Sequence, residues 1–222
     1  MYDVITFDCY GTLVDWEGGI SGAIYEAARK NGRHIPRNEV MRAYLEVEPT
    51  IQATEYRSYR DILGEAAART AELLGWSVTP EEAGFLAKSL PAWAPFADTN
   101  AALEQLKEDG YRLGILSNID NDLLEGTLEH LTVEFDFFVT AESVRSYKPA
   151  HAHFQKARDY LSGSSWLHAA QSYFHDIVPA CDLEIPAVWV NRNGEEPAGV
   201  ARPTGEVPTL AGLVQWLREC GI

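Results

Sequence analysis

The chain has 222 residues, 46% of them hydrophobic and 23% charged, with a formal net charge of −15. That length accommodates one substantial core plus a smaller inserted unit, and the composition is that of a globular protein rather than a disordered or fibrous one. So acidic a surface disfavours nucleic acid and anionic membranes as partners, and a chain without an apolar run of about eighteen residues is expected to lack a transmembrane helix.

The N-terminus enters a strand directly, with no basic segment or cleavage site, so no secretory signal is expected. Cys9, Cys181 and Cys220 are few and widely spaced, which fits reduced thiols in a cytoplasmic protein. For an anionic substrate, a few local Arg or Lys side chains must reverse the overall field.

Taken in order, residues 2–8 predict a buried strand, Val4-Ile5-Thr6-Phe7, that stops at Asp8 with a Gly11-Thr12 turn behind it. Ile20, Ala23, Ile24, Ala27 and Ala28 recur at helical spacing and predict a helix over 15–35, ended by Asn31-Gly32. Helices are also predicted over 37–48 and 59–75, the latter closed by Gly75. Pro80 opens a fourth, with Glu81 and Glu82 suited to its first turn. No convincing strand falls in 15–94, which reads as a helical insertion within an α/β chain.

From Phe96 the pattern changes. Asp98-Thr99 is expected to cap a helix through Leu103, Leu106 and Lys107, closed by Asp109-Gly110. Strands follow at Tyr111–Leu116, Phe135–Thr140, His168–Ser172 and Ala187–Asn191, separated by helices at 121–131, 151–161 and 176–182. A Gly/Pro-rich loop spans 193–208, and Leu210, Leu213, Val214 and Leu217 mark a final helix. This alternation predicts a parallel sheet between layers of helices.

The apolar strands end in functional groups: Asp8, Ser117-Asn118, the region before Lys148 and the segment before Asp176. In a parallel sheet these ends face one crevice. Taken alone, Asp8 there can be a nucleophile, a base or a metal ligand.

The order Asp8-x-Tyr10-Gly11-Thr12-Leu13, Leu116-Ser117-Asn118, Tyr147-Lys148-Pro149 and His175-Asp176 before Pro179-Ala180 resembles the haloacid dehalogenase superfamily, in particular its 2-haloacid dehalogenase branch. The resemblance implies an α/β fold: a three-layer Rossmann-like parallel-sheet core of 1–14 and 95–222, with an inserted helical cap of 15–94. It places the nucleophile on Asp8, with Lys148 and Asp176 as its catalytic partners. It implies hydrolytic dehalogenation of small 2-haloalkanoic acids without a cofactor, in a branch whose members commonly form homodimers. Thr12 and Ser117 are expected to hydrogen-bond Asp8 or the substrate carboxylate. Asn118 and a cap cation, for which Arg42 is chosen over Arg57 and Arg60, are expected to meet the departing halide. Tyr10 and His175 are expected at the pocket wall.

Two departures sharpen the reading. Phosphatases of the superfamily carry a second Asp where this chain has Tyr10, and a phenol with a pKa of roughly 10 is a poor proton donor to a leaving group. A halide leaves without a proton. The position five before Asp176, often acidic in phosphatases, is Gln171, so Asp8 and Asp176 remain as the carboxylates for Mg²⁺, a cation that prefers several oxygens. A Mg²⁺-dependent phosphatase and a non-catalytic binding member of the fold are the alternatives. The 2-haloacid dehalogenases themselves often show Ser and Asn where this chain has Gln171 and Tyr173.

Overall fold

Six strands build one sheet in a computed structural model that describes residues 2–52 and 56–219. They are β1 (Val4–Phe7), β2 (Arg112–Ser117), β3 (Phe137–Thr140), β4 (Trp166–Ala170), β5 (Ala187–Val190) and β6 (Gly205–Val207). All are parallel, in the order β3-β2-β1-β4-β5-β6. β1 and β4 are buried at every position, as expected of strands covered on both faces. Helices flank the sheet: Ala152–Leu161 packs on β2 and β3, and Leu210–Glu219 on β5 and β6. The fold is a Rossmann-like α/β architecture.

The strand order decides where a ligand can sit. The chain lays β1 to β3 outward in one direction, then crosses to β4 and proceeds in the other. β1 therefore lies between β2 and β4, and its carboxyl end is the switch point where such sheets open a crevice. Asp8 follows β1 directly. Gly11 turns the chain there at φ 100°, a left-handed conformation that glycine adopts without strain, and its N–H donates to Val14 O at 2.8 Å.

The chain divides into two compact units. The first holds the sheet and comprises the residues up to Val14, Pro95–Asn118 and those from Glu129 onward. The second is helical, Asp15–Ala94 with Ile119–Leu128. Its main helices are α1 (Trp16–Lys30), α2 (Arg37–Gln52) and α3 (Tyr59–Leu73), and no strand occurs among the described residues of 15–94. Ile20, Ile24 and Ala28 form the buried stripe of α1, and Ile62, Leu63, Ala66, Ala67 and Thr70 that of α3. The 119–128 segment joins this unit through Asp120, whose carboxylate accepts the N–H groups of Tyr59 (2.9 Å) and Arg60 (2.8 Å) at the start of α3. An Arg60–Asp122 ion pair adds to it. Among the described residues no helix is long and apolar enough to cross a membrane. Cys9 and Cys181 are free thiols; Cys220 lies outside the described residues.

Three local readings are corrected. The 193–208 loop contains β6, an edge strand of three residues too short to show any alternation. A one-turn helix, Ala141–Val144, follows β3, its start fixed by a reciprocal Thr140–Ser143 cap. Asp98 stands at the N-cap of the helix Thr99–Glu108 but makes no side-chain bond to it. Its carboxylate instead accepts the N–H groups of Leu210 (2.7 Å) and Ala211 (3.4 Å) and pairs with Arg192 at 3.1 Å. It thereby caps the final helix from 112 residues away in sequence. Asp98→Ala therefore removes both a helix-terminal acceptor and a half-buried ion-pair partner. The expected cost is about 2 kcal/mol, read as a lowered urea midpoint. Asp98→Asn, which keeps an acceptor, is expected to lose less.

Candidate active site

Four segments deliver the polar groups at the carboxyl end of the sheet. β1 leads into Asp8, β2 ends in Ser117 and is followed by Asn118, a loop carries Lys148, and the turn Tyr173–Ile177 carries Asp176. Lys148 is the hub. Its ammonium donates to Asp8 Oδ1 at 2.9 Å, to Asp176 Oδ1 at 2.6 Å and to the Leu116 carbonyl at 2.8 Å. An ammonium has three protons, so its bonding capacity is filled. Lys148 is 1% exposed and Asp176 0%, whereas Asp8 keeps 7%. Asp8 is thus the most exposed charged group of the three.

The two carboxylates titrate in opposite directions. Burial pushes Asp8 up; Lys148 counters it, Asp176 adds to it, and Thr12 donates to its Oδ2 at 3.0 Å. Asp176 suffers the same desolvation, yet the closer Lys148 contact and the bond from His168 bring it down to about 2. Lys148 itself is raised: burial opposes its charge, and the two carboxylates outweigh that cost. The ammonium charge is shared unequally, and Asp176 holds the larger part.

The next layer fixes these groups. Asn118 clamps the main chain of Lys148 reciprocally, donating to its carbonyl at 3.1 Å and accepting its N–H at 2.7 Å. Thr12, besides donating to Asp8, accepts the N–H of Gln171 at 2.9 Å. Arg192 donates to the Thr12 carbonyl at 2.8 and 3.1 Å and stacks over Phe96 at 4.0 Å. His168, in β4, bonds Asp176 Oδ1 through Nε2 at 3.0 Å. His153 is fully buried against the Ser117 carbonyl at 3.1 Å, and burial together with the Lys148 charge pushes it down to about 3.

Of the residues expected from sequence, Asp8, Thr12, Lys148 and Asp176 come together in one hydrogen-bonded cluster. Asn118 is spent on the Lys148 main chain. Ser117 Oγ is buried and bonds no protein group among the described residues, so it does not contact Asp8. Tyr10 is half-buried and bridges to Val14. His175 is half-buried, its Nδ1 3.0 Å from Ser172 Oγ, and burial lowers its pKa. Arg42 lies exposed on α2 of the helical unit. Gln171 turns its side chain to Glu195 at 3.1 Å. Cys9 is buried, and desolvation followed by the Asp8 charge pushes its thiol well above its ordinary value, which makes it inert.

Residues 2–170 match the haloacid dehalogenase-like hydrolase family. The chain belongs to that family. Across its length this hydrolase is similar to (S)-2-haloacid dehalogenase H-109 of Pseudomonas putida, at 29% identity over 97% of each chain. The L-2-haloacid dehalogenase of Xanthobacter autotrophicus shares its fold with a TM-score of 0.83, 20% identity and coverage of 98% and 99%. A HAD-hydrolase of Bacillus subtilis, YfnB, described as putative and bound to magnesium, shares it at a TM-score of 0.84, 15% identity and coverage of 98% and 99%.

The donor set of this hydrolase does not fit a divalent cation. Its carboxylates at the strand ends are Asp8 and Asp176, both already bonded to Lys148, with Gln171 at the third acidic place. Among the described residues no three His, Cys, Asp or Glu side chains are grouped to hold a metal.

The opposed titrations give stability a definite pH dependence. Asp176, depressed from an ordinary carboxylate value to about 2, contributes stability above that ordinary value and loses it as pH falls through the folded value. Asp8, raised, works against it in acid. In Asp8→Asn the opposing contribution is gone. Its unfolding free energy is therefore expected to drop by about 2 kcal/mol between pH 5 and pH 2, measured by urea titration. Lys148→Met leaves two buried carboxylates uncompensated and is expected to cost about 3 kcal/mol at pH 7, with recovery when Asp176→Asn is added.

Proposed function

We propose that this hydrolase cleaves the carbon–halogen bond of small 2-haloalkanoic acids through an ester on Asp8. The observation that carries the reading is a slightly accessible carboxylate, raised by burial, bonded to Lys148 and Thr12 and followed two residues later by Tyr10 in place of an acid. Such a group is equipped to attack carbon and release something that needs no proton. The similarity to (S)-2-haloacid dehalogenase H-109 supports the same class.

In the first step one Asp8 oxygen forms a bond to C2 while the C2–halogen electron pair departs as halide. In the second, water attacks the Asp8 carbonyl carbon. Asp176 accepts the water proton and returns it to the departing alkoxide, so the 2-hydroxy acid leaves and Asp8 is again a carboxylate. The net change consumes one water and yields halide and one proton. Lys148 offsets charge on the ester as it forms and breaks, and Thr12 aligns the Asp8 carboxylate. Asn118 holds the Lys148 loop, and Tyr10, Ser117 and His175 shape the pocket. The cation for the halide is assigned to Arg42, on a helical unit (15–94) that acts as cap to the core (1–14 and 95–222). No cofactor takes part, and the partner is a small molecule.

The test is halide release from 2-chloropropionate and haloacetates, with and without EDTA, together with intact-mass analysis of the trapped enzyme. Release that survives EDTA, vanishes in Asp8→Asn and leaves an adduct on Asp8 is the expected outcome. No halide from any short haloacid, with p-nitrophenyl phosphate turnover abolished by EDTA, would replace the reading with a metal-dependent phosphatase. Silence in both assays would make the protein a binding member of the fold.

A further inference from the structure

A histidine is buried in the middle of β4, and nothing in the chemistry above gives it a task. His168 is 0% exposed and pairs in register with Thr6 of β1, two residues before the nucleophile. Both ring nitrogens are engaged. Nε2 lies 3.0 Å from Asp176 Oδ1 and Nδ1 lies 2.8 Å from Thr6 Oγ1. The Trp166 indole N–H, which can only donate, bonds the same Thr6 oxygen at 2.6 Å. An unprotonated Nε2 would set its lone pair against the carboxylate, so Nε2 carries a proton and donates it to Asp176. Phe154 meets the ring edge-on, centroids 5.1 Å apart at 82°, and prevents it from turning.

The consequence falls on Asp176. Its Oδ1 receives two donors, Lys148 and His168, while Oδ2 bonds no protein group among the described residues. Two donors converging on one oxygen, one from a loop and one from β4, define the plane of the carboxylate. Lys148 alone would leave it free to rotate and offer either oxygen.

We infer that His168 is a positioning residue for the hydrolytic step: with Thr6 and Trp166 behind it, it fixes the Asp176 carboxylate so that Oδ1 serves Lys148 and Oδ2 is kept for the water that attacks the Asp8 ester. This rests on the proposed function, because it assigns the partner of a reaction at that same site. It also gives a task to the one polar side chain among the apolar residues of β4.

The test compares His168→Leu, which removes the donor, with His168→Gln, which keeps one. In His168→Leu, kcat is expected to fall about tenfold with KM unchanged and with the Asp8 ester accumulating, while His168→Gln recovers most of the rate. A second readout needs no turnover. The carboxyl ¹³C signal of Asp176 is followed against pH, and its midpoint is expected to rise by about 1 pH unit in His168→Leu but not in His168→Gln. The other titrating groups around it, Lys148, Asp8, His153 and His175, are the same in both variants. Wild-type kcat and an unmoved midpoint in His168→Leu would overturn the inference. So would equal losses in the two variants, which would make His168 a packing residue. If the wild-type enzyme releases no halide, the functional reading fails, and the Asp176 titration alone then decides whether His168 sets that carboxylate.

Discussion

One buried ammonium between two buried carboxylates is the constraint on which the rest depends. Taking three charges out of water is costly, and the mutual attraction offsets that cost only if each proton and lone pair finds a partner. Lys148 meets the condition with Asp8, Asp176 and the Leu116 carbonyl. The arrangement is deliberately uneven. Asp176 has the shorter contact and a second donor in His168, and it is stabilised as an anion; Asp8 has the longer contact and is left less comfortable. One cation thus holds two neighbouring carboxylates in different states, one under-stabilised and one well stabilised as an anion.

The sheet makes this possible by strand order rather than by local sequence. β1 lies between β2 and β4, so the end of one short strand is within reach of a carbonyl from β2 and an imidazole from β4. The loops are then tied back to the same place: Asn118 to Lys148, Thr12 to Gln171, Arg192 to Thr12. Each tie joins residues distant in sequence. Together they replace backbone flexibility with fixed geometry, which is what a reacting group needs from its scaffold.

This division explains what was legible in the sequence. Asp8 could be read because it follows an apolar run at a strand end, and such ends converge in a parallel sheet; the roles of Thr12, Lys148 and Asp176 were legible through the motifs that resemble the haloacid dehalogenase superfamily. The sheet and the helical segment were readable from periodicity, which is local. His168, His153 and Arg192 were not, because their roles come from register and from contacts across more than 30 residues. Only one local signal marked His168, an imidazole among apolar strand residues. Asp98 was misassigned for the same reason: its place suited a cap on its own helix, but the amides it satisfies belong to the final helix. β6 and the short helix Ala141–Val144 are too brief for any periodicity to emerge.

The charge of the cluster also constrains what can approach it. Two carboxylates and one ammonium carry a net charge of −1, in a chain whose formal charge is −15. An anion approaching Asp8 meets a field of its own sign. Polar groups that donate without charge, such as the Thr12 hydroxyl, are already bonded to Asp8. An anionic ligand therefore has to be met by main-chain N–H groups or by a cation from outside the cluster. Lys148 cannot supply that cation, because its three protons are already taken.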